Sequence, residues 1–318
     1  MILFTADIHL KLGQKNVPID WAIKRYRMFF EQVGEVEKKV DLHIIGGDIF
    51  DKLPSMEELE LFFEWVSQMS VRTLIYAGNH EATKKGQTFL THLKKPVNQI
   101  NPLVEIIDEI YTGDGWVIVP YEFIHKKTVW KNLDKNLVVF SHIRGEIEPH
   151  VKPEIDLELI ADFPTIYLGD LHSHSNCQRN MVYPGSPMVI SFHRSRVTTG
   201  YILIDSTNLT KWTWHEFDLP QLIRKTVTSE EEMIPTDPDH TIYEIEGNLA
   251  DLSNIKSNDL LDKKITRRKS DTALVLTKDM SKEQELSEYL LYILELDEGT
   301  VEEALKVYND YAARASLE

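Results

Sequence analysis

Short apolar runs of strand character recur along the chain, and in its first third each is followed by a helical pattern. "ILFTA" (2–6), "LHII" (42–45) and "TLIYA" (73–77) are separated by an amphipathic stretch from about Trp21 to Lys39 and by a second that begins near Ser55. The second opens with Ser55 and Glu58 at capping-box spacing and carries Leu59, Phe62, Phe63, Val66 and Met69 at helical intervals. Parallel strands need a crossover, usually a helix, so this alternation predicts a parallel α/β sheet. The later runs "WVIVP" (116–120), "LVVF" (137–140), "TIYL" (165–168), "YILID" (201–205) and "WTWHEF" (212–217) have fewer helices between them. The expected class is therefore α/β, with two packed sheets. "TSEEEMIPTDPD" (228–239) joins an acidic run to two prolines and reads as a linker or long loop. "TIYEIE" (241–246) and "TALVL" (272–276) beyond it suffice for a small α+β unit. The last 38 residues carry two helical patterns, Leu286, Tyr289, Leu290, Ile293 and Leu294, then Val301, Ala304, Leu305 and Tyr308. Gly299 is the expected stop of the first, and Thr300 with Glu303 the expected capping box of the second.

The polar residues fall in a pattern. Asp7 and His9 follow the first run, Asp48 the second, Asn79 and His80 the third, His142 the fifth, and His172 and His174 the sixth. Asp or Asn after one strand is ordinary turn chemistry. Five strand ends of this kind point instead to a site beyond the carboxyl edge of a sheet, where such residues converge. His172 and His174 stand two apart, so on extended chain they share a side at about 6–7 Å. Two imidazoles so placed suit the two ions of a metal pair about 3.5–4 Å apart. Asp48, between glycine-assisted turns, is the natural bridging carboxylate. A mixed Asp/Asn/His set favours manganese, magnesium or an iron/zinc-type pair over calcium or a thiolate-bound zinc. Such a pair would make a bridging hydroxide and clamp an in-line displacement at phosphorus.

Composition limits the alternatives. Among 318 residues, 35 are basic and 51 acidic, a formal net charge of −16, which argues against non-specific wrapping of nucleic acid. The segment 281–318 holds net −7 of this, leaving −9 elsewhere, to which two divalent ions would add +4. No apolar run approaches the roughly 20 residues of a membrane span. "MILFTADIHL" lacks the basic start of a secretion signal. The single cysteine, Cys177, excludes an internal disulfide and fits a reducing cytoplasm. Its thiol beside the paired histidines is weak evidence for a ligand.

"DIH" at 7–9, "GGDIFD" at 46–51, "GNHE" at 78–81, the histidine of "FSHI" (140–143), the pair at 172 and 174 and "YPGSP" at 183–187 resemble the ordered motifs of the calcineurin-like metallophosphoesterases. Within that superfamily they are most similar to SbcD-type nuclease subunits, including phage versions, and the compact length fits a phage origin. The resemblance implies a two-sheet β-sandwich flanked by helices (residues 1–220), a capping domain that admits DNA (221–280) and a C-terminal helical segment (281–318) that docks on an SbcC-type coiled-coil ATPase. It implies one metal on Asp7, His9, Asp48 and His174 and another on Asp48, Asn79, His142 and His172, with Mn2+ foremost. It gives His80 the task of contacting the scissile phosphate and protonating the leaving oxygen. A homodimer is implied too, with the apolar helix at 55–69 as one candidate surface. The family's last motif is Gly-His-x-His, whereas here Asp170 and Leu171 separate Gly169 from His172. Asp170 is either an orienting partner of a ligand imidazole or a turn residue, and Asp51 a support for its loop. His193, Arg194 and Arg196 offer phosphate contacts or a solvated basic loop. "KKITRRK" (263–269) places Lys263, Lys264, Arg267, Arg268 and Lys269 as DNA-binding candidates.

Three functions fit. The first is a manganese-dependent DNA exonuclease and endonuclease working with an ATPase in recombination, repair or replication. The second is a free-standing phosphatase or cyclic-nucleotide phosphodiesterase, which would need neither the basic unit nor the helical tail. The third is a non-catalytic scaffold, which would have no need of a complete ligand set. The first is the expectation.

Overall fold

The computed structural model describes residues 1–84, 86–248, 252–266, 280–294 and 296–315. "TALVL" and three of the basic candidates, Arg267, Arg268 and Lys269, lie outside the described residues. Contacts divide the chain into Met1–Glu244 with Ser257–Lys263, and Ile245–Lys256 with Lys264–Glu318.

The first unit begins as the periodicity predicts. β1 (Ile2–Thr5), α1 (Ile19–Glu37), β2 (Leu42–Gly46), α2 (Met56–Gln68) and β3 (Arg72–Tyr76) alternate, then come a hairpin of β4 (Ala82–Lys84) and β5 (Gln87–Thr88), α3 (Lys94–Ile100) and β6 (Val104–Ile107). β7 (Tyr111–Thr112), β8 (Trp116–Val119), α4 (Lys127–Asn132), β9 (Val138–His142), β10 (Ile166–Gly169), β11 (Met181–Val182), β12 (Gly200–Asp205) and β13 (Asn208–Glu216) follow. One sheet has six strands in the order β13-β12-β1-β2-β3-β6, and the other has five in the order β11-β10-β9-β8-β7. β1, β2, β3 and β6 run parallel, as do β8, β9, β10 and β11. Residues of β1 point alternately to the two faces. Phe4 enters a core between the sheets with Ile44, Tyr76, Phe140 and Tyr167. Leu3 enters another, against Phe29 and Phe30 of α1 and Phe62 and Trp65 of α2. A third core, on the outer face of the five-stranded sheet, gathers Val117, Val139 and Leu168 around Trp130. Helix, sheet, sheet and helix are thus stacked, with both sheets covered.

α2 is capped as expected, Ser55 accepting from the Glu58 amide while Glu58 accepts from that of Ser55. It buries Leu61, Phe62, Trp65 and Val66, each worth about 1.5–3 kcal/mol. Its apolar stripe therefore serves this core, and Met56 is the large apolar residue it leaves exposed.

The boundary expected near residue 220 falls inside the first unit. β14 (Leu222–Val227) buries Leu222 and Ile223 and is tied to the preceding loop by His193 N to Leu222 O and Arg224 N to His193 O. It starts a small sheet in the order β14-β15-β16, with β15 at His240–Gly247 and β16 at Leu261–Thr266. Residues 228–239 between β14 and β15 contain only a short 3-10 turn, Glu230–Glu232.

The second unit contains helices Lys282–Glu288 and Glu298–Ala315, with a wide turn at Tyr289–Ile293 after the first. Thr300 does not cap the last helix. Asp297 does, accepting from the Thr300 amide at 3.0 Å, and Gly299 lies within the first turn. Asp is as good an N-cap as Thr, and it stands nearer the preceding turn. Among the described residues, no helix is long and apolar enough to cross a membrane.

Candidate metal centre

Side-by-side loops assemble the site. β1 and β2 stay hydrogen-bonded past their last ladder residues, Asp7 N donating to Gly47 O at 3.1 Å and His9 N to Asp48 O at 2.9 Å. Asp7, His9 and Asp48 then turn inward on left-handed backbone, with φ of 58°, 47° and 51°. Each such residue costs about 1–3 kcal/mol and persists only where its surroundings over-determine it. The buried Glu81 carboxylate supplies much of that constraint, accepting from Asp48 N at 3.0 Å, Phe50 N at 2.9 Å and Gly78 N at 2.8 Å. Gly78 allows the loop after β3 to close in, because a Cβ there would stand 2.2 Å from Asp48 Oδ1. From the other sheet, His142 is the last residue of β9 and is paired with Gly169 of β10.

Three overlapping donor groups result: Asp7, His9 and His172; His9, Asp48 and His80; and Asp7, Asp48 and His142, each with its ligand atoms within 4.8 Å of one another. Asp48 Oδ2 is common ground, at 3.4 Å from His142 Nε2, 3.6 Å from His9 Nε2 and 4.0 Å from His80 Nε2. His142 Nδ1 donates to Gly46 O at 2.8 Å, which turns Nε2 toward this centre.

The residues fit a pair of cations. Asp7 Oδ2 and His9 Nδ1 are buried with no hydrogen-bond partner. The Asn79 amide lies against Asp48 and His142, and in the orientation that satisfies its hydrogen bonds its nitrogen donates to Asp48 Oδ1 and Oδ2 at 3.3 and 3.1 Å and to His142 Nε2 at 2.9 Å. Electrostatics agree. Burial alone would raise Asp48, but His142 opposite holds it well below the usual carboxylate range. Burial would keep His142 neutral, yet Asp48 draws its pKa well up. Burial raises Asp7 and lowers His9 to about 3, so His9 presents neutral imidazole. The site favours a positive charge, as a proton or as a metal ion.

Of the residues expected on metals, Asp7, His9, Asp48, Asn79, His142 and His172 converge here. His172 Nε2 stands 3.0 Å from His9 Nε2, on the side of Asp7 rather than with Asn79 and His142. His174 is placed elsewhere. Its Nδ1 is 2.6 Å from Tyr183 O, and its ring stacks on Trp214 at 5.2 Å. Residues two apart share a side only on extended chain, and here the chain enters a 3-10 turn at His174–Asn176. Cys177 stays beside His174, Sγ accepting from Tyr183 N at 3.2 Å. Asp170 instead reaches the centre, its Oδ1 3.9 Å from His142 Nε2.

His80 Nδ1 donates to Asp51 O at 2.6 Å, leaving Nε2 toward Asp48. Asp51 itself pairs with Lys11 at 2.8 Å, the loop-supporting position expected of it. Arg194 and Arg196 are committed to Glu244 at 3.1 Å and Asp239 at 2.6 Å. Lys263 also pairs with Glu244, at 2.8 Å, and Lys264 Nζ donates to the carbonyls of Leu252 and Ile255. Sequence reasoning assigned no role to Glu81 and Ser186, although both lie in quoted motifs. Ser186 Oγ donates to Asp7 O at 2.7 Å and its amide to His172 O at 3.0 Å, so "YPGSP" braces one residue from each sheet.

The calcineurin-like phosphoesterase family model matches residues 1–198. The chain is 42% identical over 325 aligned residues to the probable exonuclease subunit 1 of Escherichia phage T5, covering 98% of this chain and 99% of that protein. Among solved structures, TT1561 of Thermus thermophilus matches at 12% identity with a TM-score of 0.41, over 68% of this chain and 97% of that one.

Proposed function

The chain belongs to the calcineurin-like phosphoesterases, and from that premise we propose that it is the nuclease subunit of an SbcCD-type complex, cutting DNA as a manganese-dependent exonuclease and endonuclease. The observation that carries this reading is the extent of the phage match. The phosphoesterase family model ends at residue 198, whereas the similarity to a protein named as an exonuclease subunit runs through 98% of the chain. A lone phosphatase domain would have no reason to share the remainder.

A pair of divalent cations supplies Lewis acidity and an activated water at phosphorus. Asp7, His9, Asp48 and His172 would hold one, and Asp48, Asn79 and His142 would hold the other. The protein's own chemistry lies chiefly in His80. Its Nδ1–H is held by the Asp51 carbonyl, so Nε2 is the position from which the imidazolium form would give a proton to the leaving oxygen and return to neutral imidazole. A groove of about 620 Å³ is lined by Lys11, Lys15, Arg224 and Lys263, and because these already pair with Asp51, Asp262 and Glu244, a polyanionic strand would enter by displacing those carboxylates. The exposed Tyr289, Leu294 and Val307 of the second unit are the proposed docking face for the coiled-coil ATPase, and exposed Ile19, Leu53 and Met56 the proposed dimer surface. The phage relative and the single cysteine support a cytoplasmic setting, bacterial or phage-infected, and work in recombination, repair or replication.

The test is cleavage of end-labelled linear duplex DNA with Mn2+, with His80→Ala as control. Degradation that vanishes in the variant supports the nuclease. Brisk hydrolysis of a small phosphodiester with intact DNA, with the ATPase partner present, would favour a free-standing phosphodiesterase instead.

A further inference from the structure

We propose that Asp170 is itself a ligand of the second cation, completing the set of Asp48, Asn79 and His142, and that His174 is no ligand at all. The proposal rests on the metal-centre reading, and Asp170 stands in Gly169-Asp170-Leu171-His172 where Gly-His-x-His has its first histidine.

Asp170 leaves the end of β10 directly beside His142, because Gly169 and His142 are paired in the ladder. Its backbone adopts φ 99°, a conformation that a non-glycine residue holds only under constraint. That conformation lets its amide donate to Asp7 Oδ1 at 2.9 Å while the carboxylate faces the centre. Oδ1 is 3.9 Å from His142 Nε2. Two donors each about 2.1 Å from one ion stand no more than about 4.2 Å apart. The His142 contact with Asp48, at 3.4 Å, meets the same limit. The Asp170 side chain is only 8% exposed, and among the described residues no hydrogen bond is made to its carboxylate. A turn aspartate would be capping its own loop amides. The other buried acceptor at this place, Asp7 Oδ2, also has no partner.

The consequence is a centre with three carboxylates, in which oxygen donors outnumber imidazole around the second ion. Hard oxygen ligands select Mn2+ or Mg2+, and imidazole shifts preference toward zinc or iron. Asp170 is thus a selectivity determinant as well as a ligand.

The experiment loads metal-free protein with Mn2+, removes excess by gel filtration, counts bound metal, and records the electron paramagnetic resonance signal of the manganese. Wild type and His174→Ala should each hold two ions with an exchange-coupled signal. Asp170→Ala should hold one, uncoupled, and Asp170→His should hold two but exchange Mn2+ for Zn2+ at least tenfold more readily. Thermal unfolding of the metal-free variants checks that each is folded, and the selectivity of Asp170→His is read independently should Asp170→Ala not fold. Two coupled ions in Asp170→Ala, unchanged selectivity in Asp170→His, or one ion in His174→Ala would overturn the assignment. An orienting role would weaken binding without changing the count or the selectivity. Wild type that binds no manganese would overturn the metal-centre reading instead.

Discussion

His80 and Glu81 are neighbours in opposite surroundings. The His80 side chain is 37% exposed, with Nε2 at the rim of the centre, while Glu81 is fully buried beneath it. If His80 faces the substrate rather than a cation, replacing it by Asn should leave metal content unchanged; a lost ion would instead make it a ligand of the group it forms with His9 and Asp48. Cleavage should fall by about 10²–10⁴-fold, the usual contribution of a positioned acid, and single-turnover rates would show this without interference from product release. A second buried carboxylate lies away from the site. Glu37 accepts from Ser70 N at 2.9 Å and pairs with His43 Nδ1 at 3.0 Å. Burial alone would raise it, but His43 and Ser70 outweigh burial, so its pKa in the folded protein is depressed. A depressed carboxylate stabilises the fold above its unfolded value of 4.5, and that stability is lost as pH falls through the folded value. Glu37→Gln should therefore cost about 1–3 kcal/mol near pH 7. Its melting temperature should approach that of wild type below about pH 4.5, as a pH series of thermal melts would show.

At the scale of elements, the loops after parallel strands do the positioning, and their glycines set how closely they meet. Gly78→Ala would put a methyl group 2.2 Å from Asp48 Oδ1 and force β3's loop away from β2's. The expected outcome is loss of the bridging geometry, seen as at least tenfold weaker Mn2+ binding by calorimetry in a protein that still folds. The strands themselves were legible, because period-two apolar runs and capped helical stripes are local properties. The convergence of Asp7, Asp48, Asn79 and His142 was legible too, since each follows a run that could be read. The Asp170 placement was legible only in part, since the sequence left it between an orienting partner of a ligand imidazole and a turn residue. Whether His172 and His174 share a side depends on backbone conformation after β10, where the chain enters a 3-10 turn at His174 and the ring meets Tyr183 O and Trp214. Glu81 escaped for a related reason, because a carboxylate that binds three backbone amides looks in sequence like any other acid.

For the whole molecule, the open question is what the second unit does with its apolar residues. A helix stripe that served only its own core would leave few large side chains in solvent, yet Val307 is 68% exposed, Leu294 50% and Tyr289 45%. Scattered singly, such residues are unremarkable. These three, however, lie on two adjoining helical stretches of a strongly acidic segment, where a coiled-coil partner reads an amphipathic face by its apolar anchors. Val307→Glu substitutes at a position with little to lose in folding, so the stability should stay within about 0.5 kcal/mol of wild type in thermal melts. If the face is the anchor for an SbcC-type ATPase, the same substitution should weaken association by at least tenfold, or about 1.4 kcal/mol, in sedimentation or calorimetric titration with that partner. Undiminished association would move the docking face elsewhere. Raised salt separates the remaining alternative, for an apolar anchor holds as ionic strength rises, whereas a contact made through the segment's carboxylates weakens.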